Sequence, residues 1–449
     1  MKLDEIIQKY GSKIQIINYQ NYNVRGISIN SKYIKNNYIF GAIKGSCFDG
    51  ESFINDLLNK KEIVVILSNK STLNTSTSKF NKIVFLKVND VRLASSHISS
   101  IIYPHSIKKK FAVTGTNGKT SVTSYVHQIW QKNKNKSACV GTLGIRYKNK
   151  LFSNTTLTTP DAISNHKMLN KLSRQGCEKV IYEASSIGLN QNRLHPIKFD
   201  VMAFTNLSKD HLDYHKNMNH YKVSKAMLFK FHSKKNSVAV INSDSKYASY
   251  FIEICNNKKI KVLDFGKKAK FLRISKIKRL KKYFEICINF KKKESLIVAK
   301  CLSEFEIYNK ICSIIMVYNI NLQVEHLNLI NQLKNPKGRL EKIYDCNSKK
   351  VYIDYAHTPE ALSKVLSSFK LFTNGQLFLV FGCGGDRDKN KRNLMTKEAL
   401  KYANFIIITD DNPRFEDPKS IRKDMVEGIK KSELEKIKII GDTQKAIKH

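Results

Sequence analysis

An α/β chain of several domains is the fold class this sequence predicts, and three observations carry the prediction. At 449 residues the chain is too long for one core, and ordinary domain sizes suggest about three. Short apolar runs bounded by turn residues recur along it, separated by stretches with helical spacing. One of these runs, Phe111-Ala112-Val113, leads into the glycine-bearing loop Thr114-Gly115-Thr116-Asn117-Gly118-Lys119-Thr120. Val122, Tyr125, Val126 and Ile129 then recur at helical spacing, so the loop joins a strand to a helix.

Residues 1–105 read as short strands alternating with turns and end at Ile101-Ile102-Tyr103-Pro104-His105, where the proline suggests a linker. A second unit begins at Lys108. Its strands include Lys179–Tyr182, Val201–Phe204 and Ser237–Ile241, with helical or irregular segments between them, which predicts a largely parallel sheet. Residues 266–300 are lysine-rich, and within them only Tyr283–Phe290 alternates as a strand does. A third unit starts near Asn335-Pro336-Lys337-Gly338-Arg339. Val351–Asp354 reads as a strand, Thr358 as the cap of a helix with Pro359 in its first turn, and Gln376–Phe381, Phe405–Thr409 and Lys436–Ile440 as further strands. Asp442 caps a helix that has run about two turns at His449. A three-layer domain rarely ends in mid-helix, so a further C-terminal piece is expected.

Composition excludes several classes. No apolar run reaches membrane-spanning length, and Met1-Lys2-Leu3-Asp4-Glu5 does not open a signal peptide, so a cytoplasmic protein without a membrane partner is expected. The nine cysteines are scattered, never in C-x-x-C pairs, and read as reduced core thiols. The net charge of +42 would invite a nucleic-acid reading, but the lysines arrive diffusely with Asn and Ile and form no aromatic-interleaved basic module. No nucleic-acid partner is expected; the charge would attract an anionic nucleotide.

The loop carries the chemistry. Gly115 and Gly118 let the backbone approach a polyphosphate, and the helix N-terminus offers amide donors and a positive dipole. Lys119 would reach the terminal phosphates and Thr120 would bind magnesium. A general Walker loop would need glycine where Val113 stands, so this is the short form G-x-x-G-K-T. Glu183, just past a strand, is placed to hold magnesium beside the phosphates, the plain alternative being a solvated strand-end acid. Thr205 to His215 clusters acids and histidines; zinc is conceivable there, but the neighbouring phosphate loop calls for a hard, oxygen-bound cation.

Taken in order, these motifs resemble the Mur ligase family, the amide-forming ATPases of peptidoglycan synthesis. The resemblance rests on Gly115–Thr120, Thr158-Thr159-Pro160, Glu183-Ala184-Ser185-Ser186-x-Gly188-Leu189, the Asn206-to-His215 block, Asn242, Gly338-Arg339-Leu340-Glu341 and Asp354-Tyr355-Ala356-His357-Thr358-Pro359. It spans essentially the whole chain. It implies three domains, with a UDP-binding domain at 1–105, a central P-loop ATPase-like domain at 106–333 and a Rossmann-like, amino-acid-binding C-terminal domain at 334–449. Ser185-Ser186 with Gln191 and Arg193, and Asp210-His211-Leu212-Asp213-Tyr214-His215, look like the branch that adds the third amino acid to UDP-N-acetylmuramoyl-L-alanyl-D-glutamate.

The resemblance also implies roles. Gly115, Thr116, Asn117, Gly118, Lys119 and Thr120 would cradle ATP, with Asn242 on the adenine side and Arg339, Asp354 and His357 brought to the phosphates and ribose. Thr120, Glu183, His211 and Lys225 would arrange magnesium, Lys225 as a carbamate, which needs a neutral amine to capture carbon dioxide. Apart from the resemblance, Lys225 would pass for an ordinary helix-surface lysine. Thr158, Thr159, Ser185, Gln191 and Arg193 would hold the muramoyl-peptide, and Ser31, Ser46, Cys47 and Phe48 the uridine diphosphate. Asp411-Asn412-Pro413-Arg414, with Arg387 in Gly384-Gly385-Asp386-Arg387-Asp388, resembles the signature for meso-2,6-diaminopimelate. An arginine can pair bidentately with the distal carboxylate that lysine lacks.

The chain departs from the family in three places. Asn30-Ser31-Lys32 replaces the usual Asp-Ser-Arg, Glu306 stands where asparagine is usual, and the family's Gly-Lys-Gly-His-Glu segment would fall beyond His449. The expected activity is ligation of diaminopimelate to D-glutamate through an acyl phosphate, by a monomer. A lysine-adding ligase, a folylpolyglutamate-synthase-like ligase, a nucleic-acid-binding ATPase and a catalytically silent nucleotide binder are the alternatives.

Overall fold

The computed structural model describes every residue except Ser46, Cys47, Lys61, Asn149, Lys281, Lys282 and Arg387. Its chain forms two compact units, Met1–Ala112 with Trp130–Met202 and Met227–Ser237, and Val113–Ile129 with Ala203–Ala226 and Val238–His449.

The first unit opens on a five-stranded sheet of order Gln15–Ile17, Ile83–Val88, Ile63–Ser68, Tyr38–Gly41, Gly26–Ser28. The first of these strands is antiparallel to its neighbour and the others pair in parallel. Its central strands are apolar without alternation because both faces are covered. Val64, Ile66, Val84 and Leu86 pack on one side with Leu3, Ile6, Ala94 and Ile98. Ile63, Val65, Ile83 and Phe85 pack on the other with Phe40, Leu57 and Phe80. Two helices, Leu3–Tyr10 and Val91–Ile102, stand where strands and turns were expected. The second is capped by Asp90, whose carboxylate accepts from the Leu93 N–H at 2.9 Å, and its apolar positions Ala94 and Ile98 recur one turn apart. Ile101 and Ile102 are therefore a helix end.

Further along this unit, Ser137–Gly141 pairs in parallel with Lys179–Glu183, and Gly144–Tyr147 and Lys150–Ser153 add antiparallel strands. Helix Ala162–Arg174 starts at Asp161, whose carboxylate accepts from the Ile163 and Ser164 N–H groups.

In the second unit the C-terminal half of strand Ser233–Asn242, from Val238, runs parallel to Lys261–Gly266, which in turn runs parallel to Leu272–Arg279, and Phe284–Phe290 and Lys293–Ala299 turn back antiparallel. The lysine-rich stretch is thus a meander, with Phe284, Ile286, Ile288 and Phe290 buried and the residues between them more exposed. Ser303 caps helix Glu304–Tyr318. The strand read at Val351–Asp354 is Lys349–Ile353, and it pairs with Glu341–Cys346 as a separate hairpin. The α/β layer that follows has three parallel strands, Phe378–Phe381, Phe405–Ile408 and Ile437–Ile439. Helices Pro359–Phe372, Asn390–Leu400 and Pro418–Val426 supply Leu362, Leu366, Met395, Ala399, Ile421 and Met425 to its core. Thr358 caps the first of them as expected, accepting from the Ala361 N–H. Among the described residues no helix is long and apolar enough to cross a membrane.

Candidate active site

The phosphate loop follows the end of strand Lys109–Thr114 and opens helix Lys119–Lys132, as its residues predict. The segment Thr205–Ser208 braces it. Thr116 N–H donates to Asn206 O and Asn117 N–H to Asn206 Oδ1, both at 2.9 Å. Thr205 Oγ1 and Asn206 Nδ2 donate to Asn117 O, and Ser208 N–H donates to Thr116 Oγ1. Gly118 takes φ 89°, and a Cβ there would lie 2.4 Å from Asn309 Oδ1. Only glycine fits that combination of positive φ and close approach. Lys119 Nζ donates to Gly115 O and Thr116 O at 2.8 Å each.

Beside the loop lies a cavity lined by Asn117, Gly118, Tyr125, Asn206, Asn309, Arg339, Asp354 and Tyr355. The Arg339 guanidinium donates to Thr120 Oγ1 at 3.2 Å and lies 4.4 Å from the Tyr355 ring centroid. Asp354 accepts from the N–H groups of Leu340 and Ala356. Burial raises its carboxyl pKa, against those two donors and the charges of Arg339 and His357. His357 Nε2 is 3.6 Å from Asp210 Oδ2, and His211 Nε2 is 3.4 Å from the same oxygen. Burial would raise the Asp210 pKa, but the His357 hydrogen bond and the charges of His211, His357 and Lys119 outweigh it and hold the carboxyl well below its ordinary range. Asn242 does not line the cavity; its amide bridges Thr205 O and the Asp244 N–H.

Lys225 is fully buried. Its Nζ donates to Gly115 O at 2.8 Å and lies 4.3 Å from the centroid of the Tyr221 ring. Burial first, and Lys119 second, push its pKa well below the usual lysine value, against the charge of Asp210. Tyr221, which sequence reading passed over, is shared by this cluster. Its hydroxyl pairs with Thr116 Oγ1 at 3.2 Å, and its ring is 6.2 Å from that of His211 and 5.0 Å from that of His215. Among the described residues no three His, Cys, Asp or Glu side chains converge as a ready-made metal site. The Thr120 hydroxyl and the Lys225 amine both lie at the Gly115–Thr120 loop.

The other unit holds the second group of expected residues. Glu183 is buried, and its two oxygens accept from the Thr142 N–H at 2.8 Å and the Thr142 hydroxyl at 3.1 Å. A Cβ on Gly141 would come 2.0 Å from the same carboxylate, which accounts for glycine there. The Thr142 and Thr158 hydroxyls pair at 3.1 Å. Thr159 Oγ1 donates to Glu183 O, accepts from the Ser185 N–H and pairs with Ser185 Oγ. Arg193 donates to Gln191 Oε1 through Nε and Nη2, and to Thr159 O through Nη1. Thr158, Thr159, Ser185, Gln191 and Arg193 therefore form one hydrogen-bonded group. Ser31 opens a short turn in the N-terminal region, and Phe48 is 72% exposed. Ser46 and Cys47 lie outside the described residues.

In the last α/β layer, Asp411-Asn412-Pro413-Arg414 meets Gly384-Gly385. Gly385 N–H donates to Asn412 O, and Arg414 Nη1 donates to Gly385 O at 2.6 Å. A Cβ on Gly385 would sit 1.9 Å from Pro413 O. Arg392, 1% exposed, ties down Glu416 and Asp424 beneath this loop. Arg387 lies outside the described residues.

A braced glycine loop at a strand–helix joint, with two lysines on its carbonyls and an arginine beside its threonine, defines a nucleotide-binding enzyme of the α/β class. Comparison with known proteins takes this further. Residues 113–317 match the Mur ligase middle domain and residues 338–449 the Mur ligase, glutamate ligase domain. A UDP-N-acetylmuramoyl-L-alanyl-D-glutamate--2,6-diaminopimelate ligase of Rickettsia conorii (strain ATCC VR-613 / Malish 7) is 38% identical over 437 residues, covering 96% of this chain and 88% of that protein. One of the same name from Aquifex aeolicus (strain VF5) is 35% identical over 427 residues, covering 95% and 85%. A solved structure of a ligase of that name superposes with a TM-score of 0.69 at 29% identity, covering 100% of this chain and 90% of the other. The chain belongs to the Mur ligase family.

Proposed function

We propose that this chain joins meso-2,6-diaminopimelate to the D-glutamate of UDP-N-acetylmuramoyl-L-alanyl-D-glutamate at the expense of ATP, the ligation named in its relatives. The observation that carries the reading is the braced Gly115–Thr120 loop with Lys119 and Lys225 on the Gly115 carbonyl. In this reading the D-glutamate γ-carboxylate attacks the γ-phosphate, giving an acyl phosphate and ADP. The diaminopimelate amine then adds to the acyl carbon, and the tetrahedral intermediate expels phosphate to leave the amide. Lys119 and the loop N–H groups offset the charge that gathers on the transferring phosphoryl group. Arg339 binds phosphate oxygens beside Thr120, and Asp354 accepts from the ribose hydroxyls. Thr158, Thr159, Ser185, Gln191 and Arg193 orient the muramoyl-peptide, while Ser31 and Phe48 bind its uridine diphosphate end.

Magnesium supplies charge neutralisation at the phosphates when bound. On the phosphate-loop unit Thr120, His211 and Lys225 would serve it, Lys225 after its neutral amine has taken up carbon dioxide. Glu183 is a buried carboxylate of the hard-donor type that magnesium takes. Arg414 selects diaminopimelate by pairing with the distal carboxylate, a role supported by the close packing of its loop on Gly384 and Gly385. Phosphate release with the UDP-muramoyl-dipeptide is expected to rise on adding meso-diaminopimelate and not lysine, and Lys119→Ala should abolish it. Full activity in that variant, or stimulation by lysine alone, would refute the assignment.

A further inference from the structure

Of the two segments that form the acceptor group, Thr158–Pro160 leads into the helix Ala162–Arg174 and Ser185–Arg193 follows the strand Lys179–Glu183. Residues 191–198 have no sheet or helix of their own to satisfy their backbone. Turn hydrogen bonds take up several of their N–H groups, among them Arg193 N–H to Gly188 O and His195 N–H to Asn192 O, and buried side chains take up several of their carbonyls. Ser96 Oγ donates to Asn192 O and His195 O at 3.0 and 2.5 Å. His166 Nε2 bonds His195 O at 2.9 Å. Asn165, in the first turn of Ala162–Arg174 and 0% exposed, donates from Nδ2 to Pro160 O at 2.8 Å and to Arg193 O at 3.0 Å. Two carbonyls facing one nitrogen fix the amide orientation, because only the NH2 end can serve both.

Asn165 differs from its neighbours in one respect: Ser96 and His166 grip the 191–198 segment alone, whereas Asn165 grips both segments. We propose that Asn165 is a positioning residue that sets the register of Thr159 against Arg193 and so the affinity for the muramoyl-peptide substrate. This rests on the acceptor role of those residues given above. The link is direct, because the Arg193 guanidinium reaches back to Thr159 O at 2.9 Å. The Asn165 bridge and the Arg193 bond close a small ring of contacts around the peptide end of the site. Releasing one side of that ring frees the guanidinium to swing while its own chemistry stays intact.

The test is calorimetric titration of UDP-N-acetylmuramoyl-L-alanyl-D-glutamate into the full chain and three variants, with ADP titrated in parallel. Asn165→Asp is nearly isosteric but presents an acceptor to two carbonyl oxygens; it should weaken substrate binding about tenfold or more and leave ADP within about twofold. Asn165→Ser, whose shorter donor can reach one carbonyl at most, should fall between the parent and Asn165→Asp. Ser96→Ala, which loosens the loop without touching Pro160, should change substrate affinity less than about threefold. If the parent binds and both Asn165 variants, folded by circular dichroism, bind as tightly, the positioning role is wrong. Equal losses for substrate and ADP also overturn it, because they mark a general structural defect. A parent that binds ADP but not the muramoyl nucleotide removes the acceptor reading itself, and the inference with it.

Discussion

Acid should destabilise this protein in part through its two most deeply buried low-pKa histidines, His166 and His232. Both are almost fully buried, at 1% and 2% exposure, and each donates one ring N–H to a carbonyl of the same irregular segment, His195 O and Ile197 O. Burial lowers each pKa from 6.5 to about 4, against those carbonyl bonds and with help from His97 and Lys198 respectively. Charging either ring places a second N–H in the interior, and His166 Nδ1 has no hydrogen-bond partner among the described residues. Between pH 6.5 and 4 the unfolded chain binds protons that the folded chain refuses, so stability falls as pH falls across that window. At pH 5 the 1.5 units below the unfolded value correspond to about 2 kcal/mol for each histidine, or about 4 kcal/mol for the pair. Denaturant unfolding at pH 7 and pH 5 measures this. A His166→Gln/His232→Gln variant, which keeps an amide donor at both places, should lose about 4 kcal/mol less than the parent on acidification. Equal losses would refute the argument and move the acid sensitivity elsewhere.

Three further outcomes are expected. If Lys225 acts as a carbamate, as proposed above, exhaustive degassing should lower the rate and bicarbonate restore it, while Lys225→Arg should be inactive under both conditions. Glu306, where the family usually has asparagine, forms a buried ion pair with Lys310 at 2.8 Å and accepts from the Leu302 N–H. Glu306→Gln strands the lysine and should cost about 3–5 kcal/mol in denaturant unfolding, with Glu306→Gln/Lys310→Met recovering much of the loss. Arg414→Lys keeps the charge but loses the planar fork, so KM for diaminopimelate should rise about tenfold or more while KM for ATP holds.

Much of the fold was legible because its signals are local. A cap depends on residues within four positions, and Thr358 and Asp442, read as caps from the sequence, both start helices in the structure. The helix Val91–Ile102 carried such a cap at Asp90, but the apolar pair at its end resembles a strand when its spacing to Ala94 and Ile98 is ignored. Residues 272–299 resisted reading because lysines alternate with buried residues on an outer meander, where exposed faces accept any polar side chain. The candidate site divides the same way. Gly115, Gly118, Lys119 and Thr120 could be picked out by spacing. Asn309, Tyr221, Thr142 and Asn165 could not, since each matters for a neighbour that is distant in sequence.

The sequence by itself determined the phosphate loop, the strand before it and the helix after it, because those elements depend on backbone freedom and periodicity within a few residues. It also supplied the order of motifs by which the family is known. Tertiary structure decided which charges the site carries. Lys225 is an unremarkable helix residue in sequence, and only burial against Tyr221 and the charge of Lys119 lower its pKa. The Asp210 carboxyl is held well below its ordinary range in part by His357, which comes within reach of it from the distant Asp354–Pro359 motif. Desolvation and Coulomb interactions sum over neighbours in space, and no pattern along the chain encodes that sum.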